Sequence, residues 1–183
     1  MTAASNWDAL GAIARIPQAS WKGRAWRMHF RTYAATDPGG SRRVSGRYHR
    51  ATDQFSAGRV WPVLYFALAP EVCLGEILRH LTADDLLRLN DYRLTELDVD
   101  LMAVLDCRDA TAIGLRARDL IQDRDFSATQ ELAAAAVARE AEGILVPSAT
   151  GLGDNLVIFS DGLRDSSRLN VVGSRDLRLY IPR

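Results

Sequence analysis

The alternation of hydrophobic and polar residues near the start of the chain predicts a short helix followed by a strand. Residues 7–16 repeat apolar side chains at helical spacing, and Pro17 ends the pattern because proline cannot continue a helix. Residues 24–30 alternate two sets of side chains, which is typical of a strand. This alternation places Arg27 and His29 on the same side of that strand.

Two loops and a buried strand are predicted next. The segments 37–46 and 55–59 are rich in turn-forming residues, and both lie close to Arg47 in the sequence. The apolar run at 63–68 is typical of a buried strand. Pro70 suits the first turn of a helix after it, because its missing N–H costs nothing there.

The helix that begins at Pro70 has one apolar face and one polar face. Its apolar stripe consists of Leu74, Ile77, Leu78 and Leu81. Glu76 falls on the opposite side of that stripe. His80 follows Glu76 by four residues, a spacing at which a modest ion pair forms on a helix surface.

The second half of the chain adds strands and two helices. Strands are predicted at 91–99 and 102–106, a helix at 111–122, and a longer helix at 127–141 that Gly143 is placed to end. The tail supplies three more strands, ILVP at 144–147, NLVIF at 155–159 and LRLYI at 177–181.

The order of these elements predicts an α+β fold. Strands and helices do not alternate strictly, and hairpin-like neighbours occur in both halves, so mixed or antiparallel sheets with flanking helices are expected. A chain of 183 residues, 48% of them apolar, can bury a core of its own, and it shows no repeat or linker. Residues 1–183 are therefore expected to form one compact domain.

Composition excludes several kinds of partner. Basic and acidic residues number 23 each, so the formal charge is zero and nothing draws the whole molecule to nucleic acid or an anionic membrane. No metal site is expected, because the histidines and the cysteines Cys73 and Cys107 lack ligand spacing. We expect reduced, buried thiols and, with no signal peptide or membrane span in the pattern, a cytoplasmic protein.

Arginines interleaved with aromatic residues fill the first third of the chain. The arginines are Arg24, Arg27, Arg31, Arg42, Arg43, Arg47, Arg50 and Arg59, and the aromatic residues are Trp26, Tyr33, Tyr48, Phe55 and Trp61. A guanidinium pairs with phosphate and an aromatic face accepts a base or a cationic ring, so this mixture indicates a nucleotide site. Zero net charge and the lack of a recognition helix disfavour a nucleic-acid polymer.

Ser127 opens the long helix with the spacing of a capping box, S-x-x-Q, which Gln130 completes. A structural cap explains this serine from composition alone. A helix N-terminus also attracts anions, so a phosphate could bind at the same place.

In order along the chain, these segments resemble the RES family, named for an arginine, a glutamate and a serine. AWRMHF, SGRYH, VLYFALAPEVCLGEILRHL and DFSATQELAAAAVAREAEGILVPSA resemble the family's motifs from about residue 24 to 160. The resemblance places the family's arginines on Arg27 and Arg47, its tyrosine on Tyr65, its glutamate on Glu76 and its serine on Ser127.

The resemblance implies an ADP-ribosyltransferase-like fold and a toxin that breaks the nicotinamide–ribose bond of NAD⁺. NAD⁺ would be a substrate, with inorganic phosphate as a candidate co-substrate and no resident cofactor. Catalysis would fall to Glu76, with Arg27 and Ser127. The dinucleotide would be bound by Arg27, Arg47, Tyr48, Tyr65 and Ser127. A cognate antitoxin, often one with a Xre-like DNA-binding domain, would be the protein partner.

Three residues depart from the family pattern, and two other functions stay open. Met28 stands where relatives can carry tyrosine, Tyr48 replaces tryptophan and His49 replaces asparagine. These changes affect ring stacking and substrate preference more than phosphate binding. The alternatives are a mono-ADP-ribosyltransferase that modifies a protein, and a non-catalytic module that binds NAD⁺ or a partner. His29, beside Arg27, is a further candidate for the pocket.

Overall fold

Six strands and five helices form the regular structure of residues 7–79, 82 and 89–177, which are the residues that the computed structural model describes. The strands are β1 (Gln18–Phe30), β2 (Val63–Ala67), β3 (Tyr92–Asp106), β4 (Gly143–Pro147), β5 (Asp154–Phe159) and β6 (Arg168–Asp176). The helices are α1 (Ala9–Ala14), α2 (Gly39–Arg43), α3 (Pro70–Leu78), α4 (Ala117–Ile121) and α5 (Ser127–Ala138). No helix in these residues is long and apolar enough to cross a membrane.

The strands form one mixed sheet that closes on itself. Its order is β1-β2-β5-β4-β3-β6, and β1 also pairs with β3, so five strands make a ring and β6 lies outside it against β3. Every pairing is antiparallel except that of β3 with β4. Closure removes the exposed edges that an open sheet of these strands would have. The predicted α+β class with a mixed sheet is confirmed.

The two strands predicted at 91–99 and 102–106 are one continuous strand, β3. Asp100 marked the expected break, but alternate side chains stay buried on both sides of it. Asp100 is an outward-facing member of the same alternation, and its Oδ2 accepts from Lys22 Nζ of β1 at 2.9 Å.

Strand β6 was not predicted. Most of its residues are exposed, and Leu169 supplies its packing against the core, so its sequence lacks the apolar alternation of a half-buried strand. Of the predicted strand at 177–181, Leu177 is buried and the rest lies outside the described residues.

The helices are shorter than predicted. The segment 111–122 is helical only in α4, and α5 ends at Ala138 instead of continuing to 141. Glu140 has a φ of 56°, which ends the helical run, and Gly143 begins β4. Helix α3 starts at Pro70 as predicted, but Leu81 and His80 lie outside the described residues.

The core consists of three buried clusters around the ring. One packs α1 and α5 on the sheet through Ile13, Leu132 and Ile144. A second includes Leu64, Leu97 and Leu156, and a third packs α3 against β1 and β3 through Val72, Ile77 and Leu94. Helices α3 and α5 are therefore fixed on the sheet by apolar side chains.

A buried carboxylate, Glu142, joins β3 to the loop after β5. Its side chain is 0% exposed, and its two oxygens accept four bonds. Oε2 accepts from the amides of Met102 (2.5 Å) and Ala103 (2.9 Å), and Oε1 from the amide of Arg164 (2.8 Å) and the hydroxyl of Ser167. Burial alone raises a carboxyl pKa, but these donors outweigh it and the pKa of Glu142 lies below its usual value.

Glu142→Gln is expected to lower the free energy of unfolding by about 2–3 kcal/mol, because the amide group turns an N–H towards buried donors. Urea denaturation near neutral pH measures the loss. Since the folded pKa is depressed, the carboxylate stabilises the fold above its ordinary pKa of 4.5, and that contribution is lost as the pH falls through the lower folded value. The gap between wild type and variant should therefore narrow in acid.

The matched control is the neighbouring exposed residue Glu140, as Glu140→Gln. Its unfolding should stay close to wild type. Equal stability of Glu142→Gln and wild type would contradict a structural role for the buried carboxylate.

Candidate active site

A cavity of about 390 Å³ lies where β1, β2 and β5 meet α3 and the segment before α5. We call it the central cavity. Its walls are largely aromatic or apolar, and its charged lining residues are Arg47, Glu76 and Asp123. The volume is in the range of small-molecule sites. Larger hollows of about 530 and 690 Å³ exist, but neither includes Glu76 or Arg47.

Glu76 is held on α3 with one of its two oxygens fully engaged. Oε1 accepts from Ser148 Oγ (2.5 Å), the amide of Ala149 (3.1 Å) and Asn155 Nδ2 (3.0 Å). Among the described residues, the ion-pair partner of Oε2 is Arg79 Nη1 at 3.9 Å, and the side chain is 22% exposed. The carboxylate is thus fixed in place through Oε1, while Oε2 accepts no hydrogen bond from the residues that the structure describes.

Arg47 lies in the loop between α2 and β2 and is bound to the segment before α5. Its Nε and Nη2 donate to the carbonyls of Gln122 and Ile121, both at 3.2 Å, and Nη2 also donates to Asp123 Oδ1 at 2.5 Å. The guanidinium carbon lies 5.8 Å from the ring centroid of Phe126. Only 13% of the Arg47 side chain is exposed, so its positive charge is partly desolvated. The hydrogen bonds hold that charge in the wall of the central cavity.

Asp123 connects Arg47 to α3. Its second oxygen, Oδ2, accepts from Arg79 Nη2 at 2.5 Å, and Arg79 in turn lies beside Glu76. Arg47, Asp123, Arg79 and Glu76 therefore form a chain of charges that alternate in sign and sum to zero, and all of them except Arg79 line the central cavity.

Tyr65 and His49 form a directed hydrogen-bond chain below the Arg47 loop. The carbonyl of Val44 can only accept, so His49 Nε2 donates to it at 2.7 Å and Nδ1 accepts from the Tyr65 hydroxyl at 2.9 Å. The Tyr65 oxygen accepts the Tyr48 amide at 3.0 Å. Burial lowers the pKa of His49 and raises that of Tyr65, so both stay neutral, as the chain requires.

Tyr48 and Gln130 also hold the loop that carries Arg47, each through side-chain hydrogen bonds to backbone carbonyls. The Tyr48 side chain is 2% exposed and its hydroxyl donates to the carbonyl of Leu120 at 3.0 Å. Gln130 Nε2 donates to the carbonyls of Gly46 (3.0 Å) and His49 (3.3 Å). A Cβ at Gly46 would lie 2.5 Å from the His49 ring, so this position needs glycine.

Arg27 and His29 point away from the central cavity. They lie on the opposite face of β1 from Trp26 and Met28, which line it. The Arg27 guanidinium donates to the carbonyl of Ala35 and, at 3.0 Å, to that of Asp37. His29 Nε2 bonds to the hydroxyl of Thr95 at 2.8 Å. Arg27 therefore braces the 35–37 turn, and neither Arg27 nor His29 is among the residues that line the central cavity.

The capping box predicted at Ser127 was wrong. The N-cap of α5 is Phe126, and Ser127 is the first helical residue. The amide and hydroxyl of Ser127 donate to Asp125 Oδ1 at 3.0 and 2.5 Å, while Gln130 serves the Arg47 loop. Ser127 lines the neighbouring hollow of about 530 Å³, whereas Phe126 lines the central cavity.

Four polar residues of this site were not predicted from the sequence. Arg79 follows Glu76 by three residues, a helical spacing that could have indicated it. Ser148 and Asn155 flank the Gly-rich turn before β5, and no local pattern relates them to α3. Asp123 lies in a run of charges that reads as a solvated loop.

Comparison with known protein families identifies the class of this domain. The family model described as "RES domain" matches residues 24–181, so the chain belongs to the RES domain family. The predicted family membership is confirmed.

Its similarity to individual proteins agrees with this. The proteins named NAD(+) phosphorylase MbcT of Mycobacterium tuberculosis and of Mycobacterium bovis are each 30% identical to this chain over 154 residues, 80% of this chain and 75% of theirs. A chain in the crystal structure of the M. tuberculosis MbcT–MbcA toxin–antitoxin complex matches with a TM-score of 0.78 and 26% identity, covering 96% of this chain and 97% of that one.

Tyr65→Phe is expected to lower the free energy of unfolding by about 1–3 kcal/mol, because the Tyr48 amide and His49 Nδ1 lose their buried partner. Urea denaturation measures the loss, with Tyr33→Phe, an exposed tyrosine, as the matched control. Unchanged stability of Tyr65→Phe would show that the chain from Tyr48 to Val44 does not hold the loop.

Proposed function

We propose that this protein is a toxin-type enzyme that cleaves NAD⁺ at the nicotinamide–ribose bond, with inorganic phosphate as acceptor. Its RES domain and its similarity to proteins named NAD(+) phosphorylase support this activity. In the chain itself, the observation that carries the proposal is Glu76, whose carboxylate lines the central cavity with Oε1 held by three donors.

Glu76 acts on the ribose. Loss of nicotinamide builds positive charge on the sugar, as in glycoside hydrolysis, and a carboxylate beside the ring stabilises that charge. Because Oε1 is fixed, Oε2 can accept a hydrogen bond from a ribose hydroxyl without reorganisation. Nicotinamide leaves as a neutral molecule, so the step needs no strong acid.

Arg47 binds the pyrophosphate, since a guanidinium forms paired hydrogen bonds with phosphate oxygens. It must exchange its bond to Asp123 for the ligand, and the exposure of Asp123 permits this. The aromatic residues Trp26, Tyr65 and Phe126 offer ring faces to nicotinamide, a cation until the bond breaks. Met28 supplies a flexible apolar contact in place of a ring.

The other residues that the sequence placed in the site act through their neighbours. Tyr48 holds the Arg47 loop through its buried hydroxyl, Ser127 fixes the start of α5 through Asp125, and Arg27 braces the 35–37 turn. They are positioning residues in this proposal, and Glu76 is the catalytic one.

A protein partner follows from the activity. An enzyme that depletes NAD⁺ must be restrained in its own cell, and the matching structure is a complex of MbcT with the antitoxin MbcA. We assign this chain, as one RES-type domain over residues 1–183, a cognate antitoxin with a Xre-like DNA-binding domain. Its place of action is the cytoplasm, where NAD⁺ is available.

Glu76→Gln is expected to lower the rate of nicotinamide release by about 100-fold or more, because it removes the charge that stabilises the transition state. The amide oxygen can still accept from Ser148 and Asn155, so the fold should persist. Chromatography of nicotinamide and the ribosyl product measures the rate. The matched control is Glu71→Gln, an exposed residue in the first turn of the same helix.

The outcomes separate the competing functions. Full turnover by a folded Glu76→Gln variant would contradict the mechanism. Binding of NAD⁺ by wild type without nicotinamide release would indicate a non-catalytic module, and release that requires a protein acceptor would indicate a mono-ADP-ribosyltransferase.

A further inference from the structure

Two guanidinium groups meet on one carboxylate beside the central cavity. Asp123 Oδ1 is 2.5 Å from Arg47 Nη2, and Asp123 Oδ2 is 2.5 Å from Arg79 Nη2. A phosphate group also has adjacent oxygens, each of which can accept hydrogen bonds from a guanidinium group. Asp123 thus occupies a place with the geometry of an anion site.

The position of Arg79 sets it apart from an ordinary surface ion pair. Its Nη1 is 3.9 Å from Glu76 Oε2, so it lies beside the carboxylate assigned to the ribose. Pairs between exposed groups add little to stability, and Asp123 and Arg79 are 42% and 32% exposed. If Asp123 turns outward, Arg47 in the cavity wall and Arg79 beside Glu76 lose the counter-ion that they share.

We propose that Arg79 binds the acceptor phosphate beside Glu76, and that Asp123 is an internal counter-ion that leaves Arg79 and Arg47 when the acceptor phosphate and the NAD⁺ pyrophosphate bind. This inference rests on the proposed function and adds the acceptor site to it. Arg79 has no other role in the proposed cleavage of NAD⁺.

The reaction at this site balances. One oxygen of hydrogen phosphate bonds to the anomeric carbon of the ribose as the carbon–nitrogen bond to nicotinamide breaks. The electron pair of that bond moves to the ring nitrogen and cancels its positive charge. Neutral nicotinamide leaves, and the phosphate ester of ADP-ribose keeps the proton of the hydrogen phosphate. Water in place of phosphate gives ADP-ribose and releases one proton to the solvent.

The test varies inorganic phosphate at saturating NAD⁺ and separates the two ribosyl products. Arg79→Gln should raise the KM for phosphate by about tenfold or more and shift the product towards ADP-ribose, while the KM for NAD⁺ changes by less than about twofold. Arg79→Lys, which keeps the charge, should restore part of the phosphate dependence. A purely structural role would not move the product ratio.

Asp123→Asn should change the KM for phosphate in the opposite direction to Arg79→Gln. It removes the competing anion, so the KM for phosphate should fall. The matched control is Arg42→Gln, which breaks a comparable exposed pair with Asp161 and should leave the product ratio unchanged. Thermal unfolding of each variant verifies that it is folded.

Each result decides between the two proposals. Nicotinamide release with an unchanged phosphate KM and product ratio in Arg79→Gln, or a raised phosphate KM in Asp123→Asn, would overturn the acceptor site and leave NAD⁺ cleavage standing. Wild type that yields ADP-ribose at every phosphate concentration would overturn the acceptor site and the choice of phosphate as acceptor, and would leave cleavage of the nicotinamide–ribose bond standing. No nicotinamide release by wild type would overturn the proposed function itself.

Discussion

The antiparallel pairing of β1 with β3 is the interaction on which the rest of the structure depends. It runs from Gln18 opposite Leu105 to Phe30 opposite Tyr92, and with the β1–β2 contact it closes the sheet. Closure turns one face of β1 towards α3 and the other towards the 35–37 turn. Trp26 and Met28 are on the face of β1 towards α3, where they line the central cavity.

Two glutamates show how hydrogen bonding divides structural from chemical carboxylates. Glu142 is fully buried and each of its two oxygens accepts two hydrogen bonds, so neither oxygen is free to bind a ligand. Among the described residues, Glu76 accepts three hydrogen bonds on Oε1 and none on Oε2. A glutamate therefore stabilises a loop at position 142 and, in the proposed function, binds the ribose at position 76.

Local patterns in the sequence were enough for the α+β class, for most strands and for the start of α3. The resemblance to the RES family, and not the local patterns, marked Arg47, Tyr65 and Glu76, which line one cavity. Strand β6 was missed because it buries little, and β3 was predicted as two strands with a gap at residues 100 and 101. Such errors arise where burial is decided by tertiary packing.

The direction of side chains was harder to predict than the identity of the site. Arg27 is predicted to bind the pyrophosphate, and the register of β1 with β3 places it on the face of β1 opposite Trp26 and Met28. Asp123, Ser148 and Asn155 reach the site from distant segments, and a single sequence holds no local signal for such contacts. Both limits concern long-range geometry.

The central claim is that the cavity between Glu76 and Arg47 holds NAD⁺, and a crystal structure of the Glu76→Gln variant with NAD⁺ tests it most directly. We expect the nicotinamide ribose to lie beside residue 76, the pyrophosphate to contact Arg47, and Asp123 to have moved away from Arg47. Dinucleotide bound in the hollow lined by Ser127, or on the Arg27 face of β1, would contradict it.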